Sequence, residues 1–284
     1  MEASGRKVRS RRLQALGLII LSLFALTMIW LVFSMLLRPD KIVPINLIYY
    51  GVHNKAEDSL ILRIRPEYAV VNTRHGLWGE KKGLDECYFL QSISEYQSAG
   101  IKVIGYISAG YEGKDTTGSI DQEWYSLETN KRFILNMATA DRVDGVFIDE
   151  CSAFPGPESK AYLKELADLA HTLGLIVWGN VGTDDFDPWF FTEGGFDLIH
   201  SSESWDGQDL SQVQMKWGHR ISVSGYDPEY IAKDAADLTL NAWSKGIAYC
   251  YVSDADYASL SPWVEEYVSL LRKKTFKRLV QESD

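Results

Sequence analysis

A chain of 284 residues that is 46% hydrophobic and 24% charged has the composition of a globular protein, with room for one large domain or two small ones. Its formal charge is −10, but residues 1–41 hold seven of the 29 basic residues and two of the 39 acids, which leaves the remainder at −15. So acidic a body argues against nucleic acid as a partner, because such binding rests on phosphate neutralisation; it suits a neutral or cationic ligand.

The N-terminus comes first. Arg6, Lys7, Arg9, Arg11 and Arg12 precede Leu13–Leu37, a run of 25 residues without a charge. About 20 apolar residues cross a bilayer core as a helix. The run outlasts a signal-peptide core and ends in Leu-Leu-Arg-Pro with no small-residue cleavage pattern, so an uncleaved transmembrane signal anchor is expected over 13–37. Five basic residues before it against two after it (Arg38, Lys41) place residues 1–12 in the cytoplasm and the rest outside. Residues 38–44 read as a spacer.

Strands are then expected over 45–50, 68–71, 102–107, 146–148, 175–178, 196–200, 221–224 and 247–252. Helical stretches lie between them at 55–65, 84–99, in pieces over 120–141, at 157–173, in part over 205–217, and at 228–245. Pro157 suits a first helical turn, and Gly100, Gly174 and Gly246 stop helices. A closing helix covers 262–274, and a charged tail follows to 284. Eight apolar strands alternating with helices over this length predict a parallel sheet closed as a (β/α)8 barrel over 45–273. A doubly wound open sheet would call for a glycine-rich phosphate loop after strand one, and Gly51-Val52-His53-Asn54 has one glycine.

In such a barrel the site lies at the carboxyl ends of the strands. Those ends supply Tyr50; Asn72, Arg74 and His75; Tyr106 and Tyr111; Asp149 and Glu150; Asn180; Glu203; Tyr226; and Asp254. Aromatic faces stack on sugar C–H surfaces, while amides and acids bind hydroxyls, so the rim reads as a carbohydrate site. Asp149, Glu150 and Glu203 are the expected catalytic acids, since glycoside hydrolysis takes one protonated and one ionised carboxyl. Strands four and six stand roughly 8–10 Å apart at the backbone, within reach for Glu150 and Glu203. Asp149 is expected to raise the pKa of Glu150 by like-charge repulsion. Each acid alone also reads as a helix cap. Trp78, Trp178, Trp189 and Trp205 fall near strand ends as possible sugar platforms or as core.

Cys87, Cys151 and Cys250 are odd in number and not at metal-ligand spacing, so buried thiols are expected. His53, His75 and His200 lie near strand ends without H-x-H or H-E-x-x-H spacing, and no metal or cofactor is expected.

The segment Asp144-Gly145-Val146-Phe147-Ile148-Asp149-Glu150 resembles that of the spherulin-4-like glycoside hydrolases. Weaker likeness extends to Tyr49-Tyr50, Val71-Asn72, Gly100–Tyr106, Gly179-Asn180, Glu203 and Tyr251–Asp254. The resemblance covers about 45–270. It implies a (β/α)8 enzyme related to the endo-α-1,4-polygalactosaminidases, acting on galactosamine-containing exopolysaccharide, with Asp149, Glu150 and Glu203 as its essential acids. The chain departs from the family pattern at Thr73–Gly76 and at Val181-Gly182. A chitinase-type strand fits less well, because Phe147 stands where that pattern has an acid.

The reading is a membrane-anchored, extracytoplasmic glycoside hydrolase with a monomeric ectodomain, whose partners are a polysaccharide and, through 13–37, the bilayer. A non-catalytic glycan-binding module or a polysaccharide deacetylase are the alternatives.

Overall fold

The computed structural model describes residues 43–49, 55–73, 90–113, 125–255, 257 and 259–281. The chain divides into two compact units, residues 1–41 and 42–284. The expected anchor at 13–37 lies outside the described residues, among which no helix is long and apolar enough to cross a membrane.

Eight strands form one sheet in sequence order, every ladder parallel. They are β1 (Val43–Tyr49), β2 (Pro66–Val71), β3 (Lys102–Ser108), β4 (Gly145–Asp149), β5 (Ile176–Asn180), β6 (Leu198–Ser202), β7 (Ile221–Tyr226) and β8 (Tyr249–Ser253). Strand β8 packs beside β1, so the sheet curls into a nearly closed barrel. The helices between strands are α1 (Lys55–Ile64), α2 (Leu90–Ser98), α3 (Leu127–Asn136), α4 (Pro157–Thr172), α5 (Trp189–Thr192), α6 (Gln212–Trp217) and α7 (Ala232–Ser244); α8 (Val264–Gln281) closes the chain. This is the alternation of a (β/α)8 barrel.

The strands are buried along nearly their whole length, as expected where helices cover the outer face and side chains fill the inner one. Tyr68, Phe147, Trp178 and Tyr249 plug the interior; Tyr68 meets Trp178 edge-on at 5.2 Å and Tyr249 at 5.1 Å between ring centres. Trp178 and Trp205 are fully buried and Trp189 nearly so, which makes them core; Trp78 lies outside the described residues. Gly145 opens β4 because any Cβ there would stand 2.7 Å from the Ile176 carbonyl. Cys151 and Cys250 are buried free thiols, and Cys87 lies outside the described residues.

Above the aromatic plug the interior turns polar. His200 is wholly buried between Ser222 Oγ, 2.8 Å from Nδ1, and Ser224 Oγ, 3.1 Å from Nε2. Ser224 in turn meets the Tyr257 hydroxyl at 2.7 Å. Burial pushes the imidazole pKa down to about 4, against an opposing pull from the Glu203 charge.

Candidate active site

Parallel register builds the site. Tyr106 pairs with Phe147, Ser108 with Asp149, Phe147 with Trp178, and Asn180 with His200. Side chains two residues apart share a face. Tyr106, Asp149 and Asn180 therefore project together from the mouths of three adjacent strands.

Their hydrogen bonds converge on Asp149. Its Oδ2 accepts from the Tyr106 hydroxyl at 2.6 Å; its Oδ1 accepts from Asn180 Nδ2 at 2.6 Å and from the Glu150 backbone N–H at 2.8 Å. Asn180 Nδ2 also donates to Glu203 Oε1 at 2.7 Å. The Gly182 N–H donates to Asn180 Oδ1 at 3.0 Å, and since an N–H can only donate, the amide nitrogen must face the acids. One amide therefore joins two carboxylates and holds their oxygens within about 5 Å of each other.

Asp149 keeps a little surface open to the cleft while protein encloses its carboxylate. Burial is the main cause that lifts its pKa to about 6, and the Glu203 charge adds to it. The bonds from Tyr106, Glu150 N–H and Asn180 oppose the rise without cancelling it. Glu203 is exposed at the mouth. The pair thus sets an enclosed carboxyl with a raised pKa beside an accessible one.

Glu150 goes elsewhere. Its backbone is left-handed, φ 55°, and its carboxylate accepts from the Ser108 hydroxyl on β3. The left-handed region costs a non-glycine residue about 1 kcal/mol or more, and it persists here because neighbours enforce it. The Ala109 N–H donates to the Asp149 carbonyl and the Tyr111 N–H to the Glu150 carbonyl, both at 2.8 Å, which extends the β3–β4 ladder past the strand ends. Tyr111 and Glu112 are left-handed as well, and Glu112 accepts from the Ser152 N–H at 2.9 Å and from its hydroxyl. The expected partnership of Glu150 with Glu203 is therefore not the one the hydrogen bonds make. Asp149 faces Glu203, and the raised carboxyl is Asp149.

Among the other expected site residues, Tyr106 and Asn180 touch the acids directly, and Asn72 is buried at the mouth of β2. Tyr111 and Tyr226 stand exposed at the rim. Asp254 is turned aside: Trp263 Nε1 donates to its Oδ2 at 2.9 Å and its own N–H donates to Ser261 Oγ at 3.2 Å. Tyr50, Arg74 and His75 lie outside the described residues. Ser108, Glu112 and Tyr257 were not singled out from sequence; they are ordinary polar residues in loops or strand ends, and only the fold assigns them partners. Among the described residues no group of three or more His, Cys, Asp or Glu side chains is placed to hold a metal ion.

The family model Spherulin4, spherulation-specific family 4, matches residues 65–271. No curated protein matches the chain. Among solved structures, Aspergillus clavatus Sph3 in complex with GalNAc is similar with a TM-score of 0.54 at 16% identity, covering 81% of this chain and 96% of that one. A chitinase from Bacteroides thetaiotaomicron has a TM-score of 0.52 at 9% identity, covering 81% and 96%. A chitinase from Chromobacterium violaceum has a TM-score of 0.50 at 10% identity, covering 81% and 98%. At these identities the likeness establishes the barrel fold.

Proposed function

The chain belongs to spherulation-specific family 4, and from that premise we propose that it is a glycoside hydrolase in which Asp149 is the general acid and Glu203 the charged partner. The observation that carries this is the Asn180 amide, which donates to both carboxylates. With its pKa lifted to about 6, Asp149 holds a proton under mildly acidic conditions for the leaving glycosidic oxygen. Glu203, open to the cleft, meets the positive charge that develops at the anomeric carbon. Asn180 sets the spacing and Tyr106 fixes the Asp149 carboxylate plane. Glu150 shapes the β4 exit through Ser108 and does not itself react.

The substrate is a polysaccharide containing galactosamine or N-acetylgalactosamine. Support comes from the family, from the net charge of −15 over residues 42–284, and from the sugar bound to the similar Sph3 structure. The uncharged run Leu13–Leu37 anchors the protein in a membrane, with the barrel on the extracytoplasmic side and acting as a monomer.

The test is digestion of a galactosamine-containing exopolysaccharide by residues 42–284, with released oligosaccharides read by mass spectrometry. Release that is lost in Asp149→Asn and in Glu203→Gln supports the reading. Binding without release, retained in both variants, would replace it with a glycan-binding module.

A further inference from the structure

Strand β6 carries one residue too many at the point where it reaches the site. His200 pairs with Ser222 on β7, yet Ser202 pairs with Val223: two residues advance on β6 for one on β7, and Ser201 is the extra one. The consequence follows from the strand period of two. His200 faces the interior, where it meets Ser222 and Ser224. On an unshifted ladder Ser202 would face inward too, and Glu203 would point outward into the helix layer. The shift aligns Ser202 with the outward Val223 and brings Glu203 into phase with the inward Ser224.

The reset is held from both sides. Beyond Glu203 the chain returns to β7, where the Trp205 N–H donates to the Ser224 carbonyl at 2.9 Å. The Trp205 carbonyl comes so close that any Cβ at Gly225 would stand 2.6 Å from it. The extra residue is itself pinned by Gln214, a wholly buried side chain on α6. Gln214 Nε2 donates to Ser201 Oγ and to Asp184 Oδ1, both at 3.0 Å, and its Oε1 accepts from the Ser211 N–H at 3.0 Å. Asp184, in the loop after β5, also accepts from Gln208 Nε2 at 3.0 Å and, through its carbonyl, from the Ser211 hydroxyl at 2.6 Å. Both the nitrogen and the oxygen of the Gln214 amide are used, and their bonds run to Ser201 in β6, to Asp184 in the loop after β5 and to Ser211 in the loop after β6.

We propose that Gln214, through Ser201 and Asp184, is a positioning residue that holds the extra residue of β6 in place and so directs Glu203 to Asn180. This rests on the proposed role of Glu203, but its own content is where the Glu203 carboxylate lies, and that has a readout apart from turnover. The groups facing the Asp149 carboxylate are Glu203, the Glu150 backbone N–H, Tyr106, Asn180 and the Cys151 thiol. The Glu203 charge is the one among them that Gln214 controls.

The experiment is an NMR titration of the Asp149 carboxyl in residues 42–284, for the parent, Glu203→Gln, Gln214→Glu, Ser201→Ala and the double variant Gln214→Glu/Asp184→Asn, with folding followed by circular dichroism. Gln214→Glu sets two carboxylates against each other; adding Asp184→Asn restores one donor and one acceptor at the same net charge. In Gln214→Glu the Asp149 midpoint is expected to fall by about 0.5 unit or more toward the value in Glu203→Gln, because the like charge has moved away. The double variant should recover the parent midpoint and, where turnover is measurable, recover an activity that Gln214→Glu lowers about tenfold or more. Ser201→Ala, the milder change, should shift the midpoint in the same direction. An Asp149 midpoint unchanged in folded Gln214→Glu, or in folded Ser201→Ala should the first not fold, overturns the proposal. Full turnover in Glu203→Gln would instead overturn the catalytic reading and leave this titration to judge the positioning.

Discussion

Asp149 and Glu203 share a single donor: both hydrogens of the Asn180 amide are spent on them, at 2.6 and 2.7 Å. Two acids from different strands are thereby fixed in distance by one nitrogen, and the remaining amide oxygen is tied down by Gly182. Removing the donor should release both at once. Asn180→Asp puts a third carboxylate beside two, and Asn180→Ala leaves them unlinked. Each is expected to lower kcat by about 100-fold or more while the protein stays folded. Turnover on soluble polysaccharide, with circular dichroism as the folding control, checks this; an Asn180→Ala enzyme within threefold of the parent would deny the amide its role.

The spacing also predicts stereochemistry. Inverting glycosidases leave roughly 6.5–9.5 Å between the two carboxyls for a water, and retaining ones about 5–5.5 Å. The shared amide keeps the Asp149 and Glu203 oxygens at the short end. Retention of anomeric configuration is expected, read by proton NMR of the first product formed before mutarotation. An initial product of inverted configuration would contradict it.

Two buried groups give the barrel opposing pH dependences. Asp149 has a folded pKa of about 6 against about 3.9 in an unfolded chain. Its raised value favours the folded state fully below about pH 4, and that contribution is lost as pH rises through about 6, to an extent on the order of 3 kcal/mol. His200 has a folded pKa of about 4 against about 6.5 unfolded. Its depressed value contributes above about pH 6.5 and is lost as pH falls toward 4. Asp149→Asn should therefore be more stable than the parent near pH 7.5, with the gain closing near pH 4, in urea titrations at both pH values. A variant less stable than the parent near pH 7.5 would show that the hydrogen bonds to Asp149 outweigh the cost of enclosing its charge.

Much of this architecture can be read from the residues. Each strand is a short Val/Ile-rich or aromatic run, and Pro157 starts α4 where a first-turn proline belongs. The frame of β6 was expected two residues early, at 196–200, because Phe196 looks like a strand residue. It packs against Phe190 at 5.0 Å between ring centres instead, and the strand begins at Leu198. The acids were legible as a set, but their pairing was not. Which of two adjacent carboxylates faces Glu203 depends on the left-handed turn at Glu150, set by bonds from Ala109 and Tyr111 on another strand's loop. The extra residue in Ser201-Ser202-Glu203-Ser204 left no trace either, since a run of small polar residues has no periodicity to break.

The central claim is that Asp149 and Glu203 do the chemistry while Glu150 supports them. Its most direct test is hydrolysis of a galactosamine-containing exopolysaccharide by Asp149→Asn, Glu203→Gln and Glu150→Gln side by side, at matched folded concentration. Glutamine at 150 still offers Ser108 an acceptor, so Glu150→Gln should keep activity within about tenfold of the parent, while the other two lose about 1,000-fold or more. A Glu150→Gln enzyme as inactive as Glu203→Gln, beside an active Asp149→Asn, would contradict the account and return the acid to Glu150.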